Sequence, residues 1–152
     1  MKEEFQLRKA TKEDMDLLFQ WANDPVTRQQ SFSTKTISYE EHVQWWKKME
    51  QSPNQVQYIF CVNNEPVGQV RVTIKEKVGE IGYSIKKEMR GLGLGKKMLK
   101  ILVETFHEEH PDIDSLIGLV KKENTSSKRC FESLGFQEVF SQFEFNYNMQ
   151  EK

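Results

Sequence analysis

Arg90-Gly91-Leu92-Gly93-Leu94-Gly95-Lys96 is the stretch on which the reading of this chain turns. An alternating run, Val78 to Ile85, precedes it, and an apolar helical stripe follows. Between a strand and a helix, glycines let backbone N–H groups crowd round an anion where the helix dipole already favours negative charge. Arg90 and Lys96 add positive charge suited to phosphate. Two familiar phosphate motifs fail here. A Walker A loop needs four residues between its glycines and then Lys-Ser/Thr; here three separate Gly91 from Gly95, and Lys97 follows Lys96. In a dinucleotide fingerprint the third glycine would come one residue later, and the motif would follow a first strand rather than lie past the middle of the chain. A plain turn that opens a helix is the reading without function.

Working outward, 152 residues suit one domain, 1–152, at roughly 150 residues per domain. Lys and Arg total 22 against 23 for Asp and Glu, a balance that argues against a nucleic-acid binder with a broad basic face. The longest apolar run, Tyr58 to Val62, has five residues, far short of the ~20 of a membrane span. M-K-E-E-F-Q-L-R-K holds no apolar h-region, so no signal peptide is expected. Cys61 and Cys130 have no metal or C-x-x-C spacing; no metal is expected, and reduced thiols point to a cytoplasmic protein.

The hydrophobic period alternates between two and 3.6 along the chain. Phe5, Leu7 and Lys9 start a short strand. Thr11 reads as the N-cap of a helix with Met15, Leu18, Phe19 and Ala22 on one face, stopped by Asn23-Asp24-Pro25. Ser38-x-x-Glu41 is a capping box for a second helix that turns Val43, Trp46 and Met49 inward, ending at Pro53-Asn54. Tyr58 to Val62 is a central strand closed by Asn63-Asn64-Glu65-Pro66. From there Val70, Val72 and Ile74 alternate with Gln69, Arg71, Thr73 and Lys75, and a turn at Glu76-Lys77 makes an antiparallel hairpin with Val78 to Ile85. The long helix carries Met98, Leu99, Leu102, Val103 and Phe106. Leu116 to Val120 is a buried strand. Asn124 caps a helix with Cys130, Phe131 and Leu134 inward and Gly135 at C′. Phe143, Phe145, Tyr147 and Met149 make a closing strand. The order is that of an α+β domain on a mixed sheet.

Three strings together resemble the GCN5-related N-acetyltransferase (GNAT) family. Arg90, Gly93 and Gly95 fit its R/Q-x-x-G-x-G/A loop. Asn124-x-x-Ser127-x-x-x-Phe131-x-x-x-Gly135-Phe136 is similar to its N-x-x-S-x-x-x-Y-x-x-x-G-F signature, and Glu80-Ile81-Gly82-Tyr83-Ser84-Ile85 resembles the strand before the loop. The element order matches over nearly the whole chain. The resemblance implies a single GNAT-like domain: a mixed, mostly antiparallel sheet, helices on both faces, and central strands splayed to hold acetyl-CoA as co-substrate. It implies that Tyr83, Ser84 and Ile85 offer backbone bonds to the pantetheine and acetyl group. Gly91, Leu92, Gly93, Leu94, Gly95 and Lys96, with Arg90, would cradle the pyrophosphate, and Asn124 would reach the pantetheine arm or serve only as a cap.

Amine acetylation needs a free amine, a polarised thioester carbonyl and a departing thiolate, the oxyanion being best met by a fixed backbone N–H. The family's tyrosine that protonates the sulfur is here Phe131, beside the cofactor, and Phe131→Tyr is expected to keep the fold. Tyr83 or Tyr147 would substitute only if the fold brought a hydroxyl near the sulfur. Glu80, on one strand face with Gly82 and Ser84, is the candidate base, directly or through water; a solvent-facing strand carboxylate is its other reading. Relatives that acetylate protein N-termini carry a carboxylate where this chain has Leu119.

For the acceptor, Trp21-Ala22-Asn23-Asp24-Pro25 and Ile37-Ser38-x-Glu40-Glu41-His42-x-x-Trp45-Trp46 are similar to acetyltransferases that act on nucleotide-linked 4-amino sugars in pseudaminic-acid biosynthesis. Arg28 would meet a diphosphate, and Phe32, His42 or Trp46 would stack on a base or sugar. Alternatively the tryptophans pack the core and His42 is solvated. A primary amine on such a sugar is the first expectation. A protein N-terminal acetyltransferase is the alternative enzyme, and a non-catalytic acetyl-CoA-binding domain the alternative to an enzyme. The partner is a small-molecule amine, with no nucleic acid or membrane, and a homodimer stays open.

Overall fold

A computed structural model describes residues 2–139, 143–145 and 147. The elements are β1 (Phe5–Lys9), α1 (Met15–Ala22), α2 (Pro25–Gln30), α3 (Tyr39–Gln51), β2 (Gln55–Val62), β3 (Glu65–Lys75), β4 (Val78–Ile85), α4 (Leu94–Glu109), β5 (Ser115–Gly118) and α5 (Thr125–Ser133). They form a five-stranded sheet in the order β1-β2-β3-β4-β5. The first three pairings are antiparallel and β4–β5 is parallel, which gives the mixed sheet expected. Two tight turns make the meander. Asn63 and Asn64 both have positive φ, 52° and 69°, the backbone that a two-residue hairpin needs.

Period-two alternation divides the core between the sheet's faces. Tyr58, Phe60, Val70, Val72 and Ile81 point to one side, where α4 lays Leu94, Met98, Leu99, Leu102 and Phe106 across them and α5 adds Phe131. Ile59 and Cys61 point to the other, under Leu18 of α1 and Trp46 and Met49 of α3. Burying each of these large side chains is worth roughly 1.5–3 kcal/mol, so both helical layers are firmly seated on the sheet.

Five expectations need correction. Asn23-Asp24-Pro25 does not simply stop a helix. Asp24 is the N-cap of α2, accepting from the amides of Val26 and Thr27 at 3.1 Å each, with Pro25 at the first helical position. On α3 it is His42, not Val43, that shares the buried face with Trp46 and Met49. On α4 Val103 lies off the stripe and is exposed. The strand beginning at Leu116 is not a buried one: β5 ends at Gly118, is the outermost strand among the described residues, and leaves Leu119 54% exposed. The closing strand is not seen at Phe143 to Phe145, which have no regular structure and expose both phenylalanines; Met149 lies outside the described residues.

Candidate active site

β4 and β5 pair only from Val78↔Ser115 to Ile81↔Gly118, while β4 runs on to Ile85. Its last four residues therefore border a gap. Lys86 N–H donates to Val67 O, so antiparallel alternation commits the main chain of Ser84 and Gly82 to β3 and turns that of Tyr83 and Ile85 toward the gap. Tyr83 thus presents its N–H and C=O there and Ile85 its N–H alone, the Ile85 carbonyl accepting from Arg90, whereas Ser84 presents neither. The Ser84 hydroxyl is also engaged, accepting from Gln69 Nε2 at 3.0 Å.

Beyond the gap lies the glycine loop. Gly91 and Gly93 have φ of 79° and 76°, and a Cβ on either would meet nothing within 4 Å. The amides of residues 91–96 have no acceptor among the described residues, the first helical bond being Lys97 N–H to Gly93 O. Left-handed glycines, six N–H groups without an acceptor among the described residues and a 16-residue helix behind them are suited to a pyrophosphate. Leu92 is exposed at the tip, Leu94 is anchored in the core, and Gly95 packs under the Tyr83 ring with 3.6 Å of clearance for a Cβ. Lys96 lies close enough to Cys130 to oppose the upward push that burial gives the thiol. Arg90 corrects the sequence reading. Its Nε donates to Ile85 O at 2.9 Å, and Nη2 donates to Asp24 Oδ2 at 2.8 Å and Thr27 Oγ1 at 3.3 Å. Its side chain braces α2 instead of reaching for phosphate.

The far wall of the gap is α5. Asn124 Oδ1 accepts from Ser127 N–H at 3.2 Å, so its carbonyl caps the helix and its amide nitrogen has no partner among the described residues. The Phe131 ring is 7% exposed and lies flat against the end of β5; a Cβ on Gly118 would come within 2.4 Å of its Cζ. The Tyr83 ring meets it edge-on at 5.8 Å, and the Tyr83 hydroxyl sits 2.8 Å from Ser127 Oγ. Burial pushes that phenol up to about 12 although the Ser127 bond pulls the other way.

On the opposite face a cavity of about 370 Å³ runs from the three N-terminal helices to Gly82 and Tyr83. Asn23 shapes it by clamping Ile37: Nδ2 donates to Ile37 O at 2.8 Å, and Ile37 N–H donates to Oδ1 at 2.7 Å. Arg28 lines it, but Nη1 is spent on the carbonyls of Ser33 and Lys35 and Nη2 on Ser31 Oγ. His42 also lines it; its Nε2–H donates to Met15 O at 2.8 Å, and burial holds it below the ordinary histidine range, hence neutral. Trp46 is 3% exposed within the core and cannot stack on a ligand, and Phe32, 68% exposed, is not among the lining residues.

Sequence reading missed what the cavity uses in their place. Trp45 lines it, with the Arg71 guanidinium 5.5 Å above its ring, and Gln57, Gln69 and Glu41 complete the polar wall. Arg71 makes no hydrogen bond or ion pair among the described residues; burial lowers its pKa, with Glu80 the nearby charge that acts against this. The available signal was the alternation of β3, which put Gln69 and Arg71 on the face away from α4. Glu80 is exposed on that face, opposite Thr73 and beside Ile117, two residues from Gly82 and outside the cavity lining. Among the described residues no cluster of His, Cys, Asp or Glu is placed to hold a metal, and no helix is long and apolar enough to cross a membrane.

A family model described as acetyltransferase (GNAT) domain matches residues 4–137. The chain is 25% identical over 125 residues to acetyltransferase PseH of Campylobacter jejuni subsp. jejuni serotype O:23/36 (strain 81-176), spanning 82% of this chain and 77% of that protein. A domain from Methanocaldococcus jannaschii superposes with a TM-score of 0.82 at 25% identity over 94% of both chains. Spermidine N-acetyltransferase from Vibrio cholerae, solved with CoA and spermine, is similar in fold: TM-score 0.82, 17% identity, 93% of this chain and 88% of that one.

Proposed function

The chain belongs to the GNAT acetyltransferase family, and on that premise we propose that the amine it acetylates from acetyl-CoA is a primary amine on a nucleotide-linked sugar. The cavity carries this reading. It brings two guanidinium groups, Arg28 and Arg71, and the Trp45 ring to a space that ends at the β4 residues bordering the gap. A half-buried cation without a partner asks its ligand for an anion. An indole face and side-chain amides suit a base or a sugar. The N-terminal strings, similar to those of amino-sugar nucleotide acetyltransferases, support the same reading, and the relatives named acetyltransferase PseH agree with acetyl transfer.

Within this reading the amides of residues 91–96 hold the pyrophosphate, and Asn124 Nδ2, the free main chain of Tyr83 and the Ile85 N–H hold the pantetheine arm and the acetyl carbonyl. Acetyl-CoA supplies an activated acetyl thioester. A backbone N–H fixed on a strand costs no reorganisation when negative charge develops on the carbonyl oxygen. Glu80 takes the amine's proton through water, which its exposure allows.

The test is a product-resolved assay with acetyl-CoA and three amines: a 4-amino-sugar nucleotide, an N-terminal peptide and spermidine. The sugar nucleotide is expected to have the highest kcat/KM. A faster peptide would transfer the reading to protein N-terminal acetylation, and cofactor binding without any turnover to a non-catalytic domain.

A further inference from the structure

We propose that the Tyr83 hydroxyl, paired with Ser127, donates the hydrogen bond that meets the departing thioester sulfur, from β4 instead of α5. The inference rests on the cofactor site proposed above. Phe131 has no hydroxyl, and its ring packs against Gly118. Tyr83 reaches the same wall from across the gap. Its ring stands perpendicular to Phe131, and its oxygen lies 2.8 Å from Ser127 Oγ. Its main chain borders the space that β5 vacates after Gly118.

Two hydroxyls in mutual contact carry two protons, and their shared bond uses one. The second has no strong acceptor in place: beyond Ser127 the phenol feels only the Cys130 thiol, a weak acceptor. A half-buried O–H of this kind is available to a ligand atom.

In acetyl transfer the N–C bond forms as the C–S bond breaks; the electron pair leaves on sulfur, and the amine's proton leaves through the base to water. A phenol near 12 is a weaker acid than a thiol near ~8.5, so handing its proton over entirely would run uphill. The pair instead holds its O–H on the sulfur as charge builds, and the thiol proton comes afterwards from water. Because the phenol stays protonated, the donor is loaded at every working pH.

The experiment uses Tyr83→Phe, which keeps the ring, and Ser127→Ala, which removes the partner and leaves the strand untouched. Each is titrated calorimetrically with coenzyme A and with desulfo-coenzyme A at pH 9 and assayed in single turnover. Wild type should prefer coenzyme A about tenfold or more, the worth of one charge-assisted hydrogen bond. Tyr83→Phe should lose that preference with desulfo-coenzyme A affinity unchanged, and its single-turnover rate should fall about thirtyfold. Ser127→Ala should move both readouts the same way by less. Tyr58→Phe, which removes a buried hydroxyl facing Glu109, should move neither. A retained preference or a wild-type rate in folded Tyr83→Phe overturns the proposal; if that variant does not fold, an unmoved Ser127→Ala does so. Wild type that binds neither compound sinks the cofactor site, and this pair with it.

Discussion

Arg90 Nη2 lies 2.8 Å from Asp24 Oδ2, and this contact joins the glycine loop to the N-cap of α2. The same carboxylate accepts from Val26 and Thr27, while the same guanidinium holds Ile85 O at the end of β4. One pair of side chains thereby ties together the glycine loop, the open strand and the helix that bounds the cavity.

That tie predicts coupled energetics. Arg90→Met and Asp24→Asn should each destabilise the protein by about 1 kcal/mol, the worth of a half-covered charged hydrogen bond after solvent screening, and the double variant by less than the sum. Burial works against the Asp24 carboxylate, yet Arg90 and the two amides outweigh it and hold the group below its usual range. With the folded pKa depressed, the contribution is fully present above the unfolded value near ~3.9 and is lost as pH falls through the folded value. Urea midpoints should therefore differ between wild type and Asp24→Asn at pH 7 and converge as the pH falls below the carboxylate's depressed folded value.

The second prediction concerns Gly93. Its φ of 76° strains any residue with a Cβ, but the space above it is open. Gly93→Val should cost about 1–2 kcal/mol in stability and still fold. It should also lose coenzyme A binding, because its methyl groups would occupy the volume over the loop's amides. Wild-type affinity by calorimetry on folded Gly93→Val would falsify the pyrophosphate assignment.

The third concerns Phe131 and Gly118. From sequence, Phe131→Tyr adds only a hydroxyl beside the cofactor. In the structure the ring packs its face on Gly118: a Cβ there would come within 2.4 Å of Cζ and within 3.0 Å of both Cε atoms. Gly118→Ala should therefore cost about 1–3 kcal/mol by overpacking, whereas a hydroxyl on Cζ, directed along the ring axis, should cost less. Thermal denaturation of Gly118→Ala beside Phe131→Tyr checks it; unchanged melting in Gly118→Ala would mean that α5 shifts freely.

What was legible in the sequence follows from how local each signal is. The strands of the meander, the capping box at Ser38 and the glycine loop announce themselves within a few residues, and each is found. The direction of a long side chain is not local. Arg90 beside three glycines reads as a phosphate ligand until α2 brings Asp24 across 66 positions of chain. Trp45 and Trp46 are adjacent and chemically identical, so only the seating of α3 on Ile59 and Cys61 decides which of them lines the cavity. Arg71 was one polar residue in an alternating strand, and nothing nearby in sequence marked it as unpaired.

Glu80 carries the fourth prediction. It lies on the sheet face of Gly82, exposed and near enough to Arg71 to influence its charge. As base through water, Glu80→Gln should lower kcat/KM at least ~10-fold at neutral pH and remove the acidic limb of the rate profile, with coenzyme A affinity intact. Glu41→Gln is the comparison, because Glu41 is the carboxylate that lines the cavity itself. If Glu41→Gln removes the acidic limb and Glu80→Gln leaves it, the base sits on α3.

The last prediction bears on the acceptor and turns on Arg71. Arg28 spends its Nη1 and Nη2 groups on Ser31, Ser33 and Lys35, so its truncation should loosen the segment before α3 as well as any ligand. Arg71 has no such duties: it rests on Trp45, faces Gly82 and makes no hydrogen bond or ion pair among the described residues. Its removal should therefore spare the fold and be felt by the ligand alone. If the acceptor brings a diphosphate, Arg71→Met should raise KM for a 4-amino-sugar nucleotide about 10–100-fold, the equivalent of one charged hydrogen bond in a half-buried site. KM for acetyl-CoA should not change. Arg71→Lys keeps the charge without the planar fork and should recover only part of the loss. The same variants assayed with spermidine give the discriminating readout. A polycation gains when a cation leaves the cavity, so Arg71→Met should lower KM for spermidine while raising it for the sugar nucleotide. Movement of both in one direction would mean that Arg71 shapes the cavity without reading charge, and the diphosphate would lose its strongest support.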